Sequence, residues 1–283
     1  MPQSSGLPRL SPDGGLKYIV CMKFRYALPA RCFSRDLKQA FRDIAALQVE
    51  GVQLDLRNEL RPDELGESGV KQFLKQLEEQ NLRVASTAFP LRKPLAEPEL
   101  LDARLDAIRA AMVFSFQLKT PILTLRPGKL PDPESAQEQW ELLCDVLNDL
   151  TRFGNHVGTT LCLSLSFEFP ARVRKLFADV TAGPLGINFD PLNSVGGPQS
   201  PGESFREFHE VIQHVRARDG LSDQDGTIEE TVLGRGEVDW TELIALLQEA
   251  SYSGWILLDR ISGENAPRDL AFGLKYLKTL LPF

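Results

Sequence analysis

The feature that most constrains this chain is one alternation repeated eight times: a short apolar run, then a longer amphipathic segment. Apolar runs of roughly four to eight residues between turn residues suit strands covered on both faces. Segments with apolar residues three and four apart form helices with one buried stripe. Residues 16–24 (LKYIVCMKF) read as the first strand. Residues 34–47 follow as a helix, with Leu37, Phe41, Ile44 and Leu47 on one face and Ser34 as N-cap. Further strands are expected at 51–56, 82–89, 120–125, 160–167, 185–189, 214–218 and 254–259. Further helices are expected at 68–81, 99–118, 134–153, 171–177, 204–212, 239–249 and 268–280.

Strict strand–helix alternation defines an α/β architecture with a parallel sheet. Eight such units suit a (β/α)8 TIM barrel better than an open doubly wound sheet. The polar, Pro/Gly-rich residues 1–14 are expected to be a disordered tail, with 15–283 forming one barrel domain. No GxGxxG follows the first strand and no GxxxxGK[ST] occurs, which weighs against dinucleotide and NTPase sites. The GRGE stretch at 234–237 reads as a loop.

Composition narrows the function classes. The balance of 32 basic against 39 acidic residues, a net of −7, argues against a chain built to neutralise nucleic-acid phosphates. No run approaches the roughly 18 apolar residues of a membrane span. The N-terminus lacks a secretory apolar region, so the expected compartment is the cytoplasm. None of Cys21, Cys32, Cys144 and Cys162 forms a CxxC pair, and they read as buried small hydrophobes. GxSxG is absent, and Ser164 and Ser166 lack a placed base, so no Ser-His-Asp site is supported.

In a barrel, chemistry sits at the C-terminal ends of the strands. Those ends hold Lys23 and Arg25, Asp55 and Arg57, Thr87, Arg126, Ser164 with Ser166 and Glu168, Asp190 and Asn193, Arg216 and Asp219, and Asp259 with Arg260. His214 shares a strand face with Arg216 and Arg218; His156 and His209 fall on helices or their ends.

These positions resemble the xylose isomerase-like TIM barrel superfamily, which includes sugar isomerases and epimerases, inosose dehydratases and endonuclease IV-type repair enzymes. The resemblance rests on GVQLDL, TLCLSLS, GINFDPLN, HVRARDG and LGRGEVDWTELIALLQEASYSGWILLDR, in order along most of the chain. It implies a divalent cation held by carboxylates and a histidine on strands five to eight. Carried onto this chain, the usual Glu of strand five falls on Ser164 and the Asp of strand six on Asp190, with Asn193 where a His is usual. H-x-H-x-K-D reads HVRARD, so His214 and Asp219 are kept while the metal-binding His position is Arg216. The Glu of strand eight falls on Asp259.

Two carboxylates and a permanently charged guanidinium offer too few donors for a divalent ion. The expectation is a site without metal or other cofactor, Arg216 filling the cation's place between Asp190 and Asp259. Those three are the catalytic candidates. Lys23, Asp55, Arg57, Arg126, Ser164, Asn193, His214, Asp219 and Arg260 are the substrate-binding candidates. The arginines and Lys23 suggest an electropositive mouth suited to a sugar phosphate or sugar acid, unless they are neutralised by the neighbouring aspartates. The resemblance thus implies a sugar or sugar-phosphate isomerase or epimerase, moving a proton at a carbon next to a carbonyl. The alternative is a non-catalytic barrel that binds a sugar, a sugar acid or a protein partner. A repair endonuclease would need a His/Glu-rich three-metal site, which three histidines do not supply.

Overall fold

The computed structural model describes residues 9–10, 16–17 and 24–281 apart from 224. Eight parallel strands close into a barrel. They are β1 (Arg25–Pro29), β2 (Gly51–Asp55), β3 (Arg83–Ala88), β4 (Ile122–Leu125), β5 (Thr160–Leu163), β6 (Leu185–Phe189), β7 (Ile212–Ala217) and β8 (Trp255–Leu258). Each pairs with its neighbours in sequence, and β8 closes the ring between β7 and β1. The outer layer is α1 (Leu37–Ala46), α2 (Glu67–Glu78), α3 (Leu101–Gln117), α4 (Gln137–Val157), α5 (Pro170–Asp179), α6 (Pro201–Phe208), α7 (Trp240–Glu249) and α8 (Ala266–Thr279). An antiparallel hairpin, Asp219–Ser222 with Ile228–Thr231, follows β7.

The first strand corrects the sequence reading. The barrel uses RYALP at Arg25–Pro29, not residues 16–24. Its apolar core is only three residues long, so the longer run upstream masked it. The side-chain alternation fits the barrel wall. Tyr26 and Leu28 pack outward into the helix-facing core, while Ala27 points inward to a separate cluster with Ala85, Trp255 and Leu257. That cluster plugs the lower end of the barrel. Gly51 makes room for it, since a Cβ there would sit 2.7 Å from the Trp255 ring and 2.8 Å from Ala27 Cβ. Of the expected strand, Leu16–Lys17 pairs antiparallel with Arg9–Leu10. Lys23 and Cys21, like most of the expected tail, lie outside the described residues.

Caps set the helix ends. Asp36, not Ser34, caps α1, accepting from the Lys38 N–H at 3.0 Å. A capping box of Ser200 and Glu203 starts α6 at Pro201, three residues before the expected start. Gly158, at φ +89°, ends α4 in the left-handed conformation that glycine adopts without strain. Cys144 and Cys162 are buried as expected, whereas Cys32 is only partly buried. No helix among the described residues is long and apolar enough to cross a membrane.

Candidate active site at the barrel mouth

Period-two alternation carries polar side chains into the barrel above the apolar plug. On β7, His214 and Arg216 stand two residues apart, and on β6, Asn188 stands two before Asp190. The deeper layer is a neutral hydrogen-bonded chain. His214 Nδ1 lies 2.7 Å from Asn188 Oδ1, and Asn188 Nδ2 donates to Ser164 Oγ at 2.8 Å. The Asn188 oxygen can only accept, so the His214 proton sits on Nδ1. Burial, aided by the charge on Arg216, pushes the His214 ring down to about 3, which keeps it neutral.

Above this lies a ring of ion pairs. Arg216 Nε donates to Asp259 Oδ2 at 2.7 Å, and Arg216 Nη1 stands 3.6 Å from Asp190 Oδ2. Arg218 Nε donates to the same Asp190 oxygen at 2.8 Å. Arg31, on the short turn after β1, donates to both Asp259 oxygens at 2.5 and 2.6 Å. Burial alone would raise the Asp259 carboxyl, but Arg216 and Arg31 hold it down at about 2. The same carboxylates keep the deeply buried Arg216 charged against the cost of desolvation.

A cavity of about 250 Å³ opens at this end. Of the expected site residues, Asp55, Arg126, Ser164 and Arg216 line it together. Arg126 makes no hydrogen bond or ion pair among the described residues. Burial, with Arg216 and Arg218 nearby, lowers its pKa from the ordinary value. Asp190 acts on it only through space, so Arg126 is a cation without an ion-pair partner at the mouth.

The other candidates stand elsewhere. Asp190 and Asp259 sit behind Arg216 as its counter-ions. His214 is buried beneath the cavity. Arg57 stacks 4.4 Å over the Phe89 ring, itself part of the cavity wall. Asn193 donates to the Leu165 carbonyl. Arg260 pairs with Asp269 at 3.0 Å and Glu230 at 3.6 Å. Asp219 accepts the N–H groups of Gly220, Gly234 and Val238, so its carboxylate fastens the 234–238 loop rather than facing the cavity. Arg25, expected at the mouth, is at the opposite end of β1 against Trp255, because the strand begins rather than ends there.

Sequence reasoning missed Arg31, Glu59 and Asn188 among the cavity-lining residues, while Gln53, which shares the Asp55 face of its strand, lines the cavity too. Arg31 was hidden by the misplaced first strand. Asn188 was open to discovery by counting back two from Asp190. Glu59 lies in the turn after β2, where no periodicity applies.

A closed parallel barrel interleaved with eight helices, with a polar cavity at the C-terminal strand ends, defines a (β/α)8 TIM barrel. The chain belongs to the xylose isomerase-like TIM barrel family, whose profile matches residues 41–280. It is 23% identical over 239 residues to an inosose dehydratase of Clostridium botulinum, covering 73% of this chain and 78% of that one. It is also 23% identical over 184 residues to an uncharacterised Methanocaldococcus jannaschii protein, spanning 62% of that relative's length and 61% of its own. A xylose isomerase domain protein from Planctomyces limnophilus has the same fold, with a TM-score of 0.78 at 19% identity over 91% of this chain and 96% of that one.

Proposed function

We propose that the cavity binds a small sugar carrying a carboxylate or phosphate and moves a proton at a carbon next to its carbonyl, without a divalent metal. The observation that carries this reading is the Arg216 guanidinium, held at the cavity wall by Asp259 and Asp190. Removing a proton beside a carbonyl places negative charge on the carbonyl oxygen. A fixed, pre-oriented positive group at that point lowers the barrier. Dehydration and epimerisation of keto-sugars both begin with such a step, which accords with the inosose dehydratase relative. Arg126, which makes no ion pair among the described residues, supplies a site for the anionic group.

The residues present do not fit the metal implied by the fold family. Asp259 already accepts from Arg216, Arg31 and the Arg260 N–H, and Asp190 from Arg218 and the Leu192 N–H. A dication would have to displace a guanidinium that cannot lose its charge. Among the described residues, no group of three His, Cys, Asp or Glu side chains is arranged to hold a metal ion.

The test is solvent-deuterium incorporation, read by proton NMR, across keto- and aldo-sugars, sugar acids and sugar phosphates with chelator-treated protein. Exchange that survives chelator is the expected result. Exchange that appears only on adding manganese, magnesium or cobalt overturns the metal-free reading. A second reading is a binding barrel without turnover, favoured by the pinning of Asp259 between two arginines. Saturable binding of a sugar with no exchange would support it.

A further inference from the structure

We infer that Glu59 is the group that takes the substrate's proton and returns it, in place of the carboxylates at the family's metal positions; this rests on the proton-transfer reading of the cavity. Asp259 is held by two guanidiniums, and Asp190 is fully buried and does not line the cavity. Glu59 does line it. Its Oε2 accepts the Asp55 backbone N–H at 2.7 Å, which fixes the carboxyl in place. Its Oε1 is buried and has no hydrogen-bond partner. A buried carboxyl oxygen left without a partner costs free energy, and in Glu59 that cost falls on a residue of the cavity wall.

The charged and titratable groups acting on Glu59 are Asp55 from the end of β2 and Arg31 and Cys32 from the turn after β1. Burial pushes Glu59 up to about 7, Asp55 adding to the rise while its own backbone N–H and Arg31 oppose it. The Cys32 thiol is pushed up to about 11 by burial and stays neutral at that pH. Glu59 therefore populates both protonation states near neutrality, the condition for a group that must act as base and then as acid.

The step balances within the cavity. The Glu59 carboxylate takes the proton from the carbon next to the carbonyl, and the C–H pair forms a C=C bond. The carbonyl π pair moves onto oxygen, giving an enediolate. Arg216 lies in the same wall to meet that charge. Ser164 accepts from Asn188, so its own O–H remains free to donate to the oxygen. The proton on Glu59 then returns from the same side, either to the carbon it left or to the former carbonyl carbon, in which case the hydroxyl proton passes to the former carbonyl oxygen and the carbonyl is restored at the neighbouring carbon. No oxidant or co-reactant is required.

The test uses the full chain and the variants Glu59→Gln and Glu59→Asp, the first keeping an acceptor for the Asp55 N–H. Carbon-detected NMR of protein labelled at the glutamate carboxyls should show one carboxyl titrating near neutrality, absent from Glu59→Gln. Deuterium exchange should fall about 100-fold or more in Glu59→Gln, with ligand affinity changed only a few-fold, and recover in part in Glu59→Asp. Exchange in Glu59→Gln at the wild-type rate overturns the Glu59 assignment and leaves the reading of the cavity standing. No exchange by the wild-type protein with any sugar overturns both. A glutamate set that titrates only in the ordinary acidic range overturns the assignment whatever the turnover.

Discussion

Replacing Arg216 with methionine removes the charge at the centre of the mouth while keeping much of the side-chain volume. The partners it leaves are 1% exposed at Asp259 and 0% at Asp190. Burial would raise Asp259 above its usual 3.8, yet the arginines hold it at about 2. At about 1.4 kcal/mol per pH unit, that gap corresponds to roughly 2 kcal/mol, and Arg216 is the larger of the two cationic contributors. Removing one partner of a buried pair costs about 3–5 kcal/mol in general. Here Arg31 remains on Asp259 and Arg218 on Asp190, so the expected loss is at the low end, about 3 kcal/mol. For a domain of this size that is a fall in Tm of roughly 6–12 °C. The pH dependence has a definite sign. The folded value of Asp259 lies below the unfolded one, so its stabilisation is complete above pH 3.8 and is lost as pH falls towards 2. In the variant, Arg31 is the one guanidinium of the two left to oppose burial and the Asp259 carboxyl rises, so the deficit should be largest at neutral pH and narrow as falling pH protonates that carboxyl. Urea denaturation at neutral pH and thermal melts over an acidic series measure both. A deficit under about 1 kcal/mol at neutral pH, or one that does not narrow in acid, would refute the reasoning.

Three further perturbations probe the parts that hold the site. Asp219→Ala should destabilise by about 3 kcal/mol in urea melts, because it orphans the N–H groups of Gly220, Gly234 and Val238; wild-type stability would contradict the clasp role. Gly51→Ala should cost about 1–3 kcal/mol by overpacking the Trp255 plug, a change that thermal melts resolve. His214 has a folded value of about 3 against the usual 6.5, so its contribution is complete above pH 6.5 and declines as pH falls towards 3. Wild-type stability should drop by about 2 kcal/mol from pH 7 to 5 on this account, and the His214→Gln variant should lack that slope in urea midpoints. Equal slopes in the two proteins would sink the assignment of a buried neutral imidazole.

Most of the fold was legible because burial on both faces and helical spacing leave marks along the chain. The β6 run LGINF coincides with the expected strand, and most other elements shift by one to four residues. The first strand was misread because apolar length is a poor guide where a strand has a short apolar centre between an arginine and a proline. That error had a functional consequence, since it put Arg25 at the mouth and hid Arg31. The site was legible where alternation fixes direction, as at Ser164 and Arg216. It was not legible where a turn does. Nothing in the spacing of Asp55 and Glu59 distinguishes a turn-capping pair from a residue of the cavity wall. Nor does sequence distinguish Asp219 as ligand from Asp219 as clasp, since that depends on which backbone N–H groups the 234–238 loop brings to it.

In the metal-free site we propose, the departures from the family's metal-site pattern form one physical change rather than separate losses. Asp190 and Asp259 are nearly inaccessible to solvent, and two buried carboxylates side by side need a positive partner. In the pattern that the resemblance implies, a dication fills that need. With Ser at 164 and Arg at 216, the donor set falls and a guanidinium takes up the charge, contacting both carboxylates at once. Either replacement alone would be costly. Arginine beside a dication would add repulsion, and loss of the dication without arginine would strand two anions. Together they leave a positive group at the cavity wall that needs no assembly step and cannot be titrated or chelated away. The same exchange takes Asp259 out of proton chemistry, because the guanidiniums hold its carboxylate ionised, while Asp190 stays buried away from the cavity. A reaction that still needs a base must then find it elsewhere on the wall, and the turn after β2 supplies a carboxyl with one oxygen unclaimed.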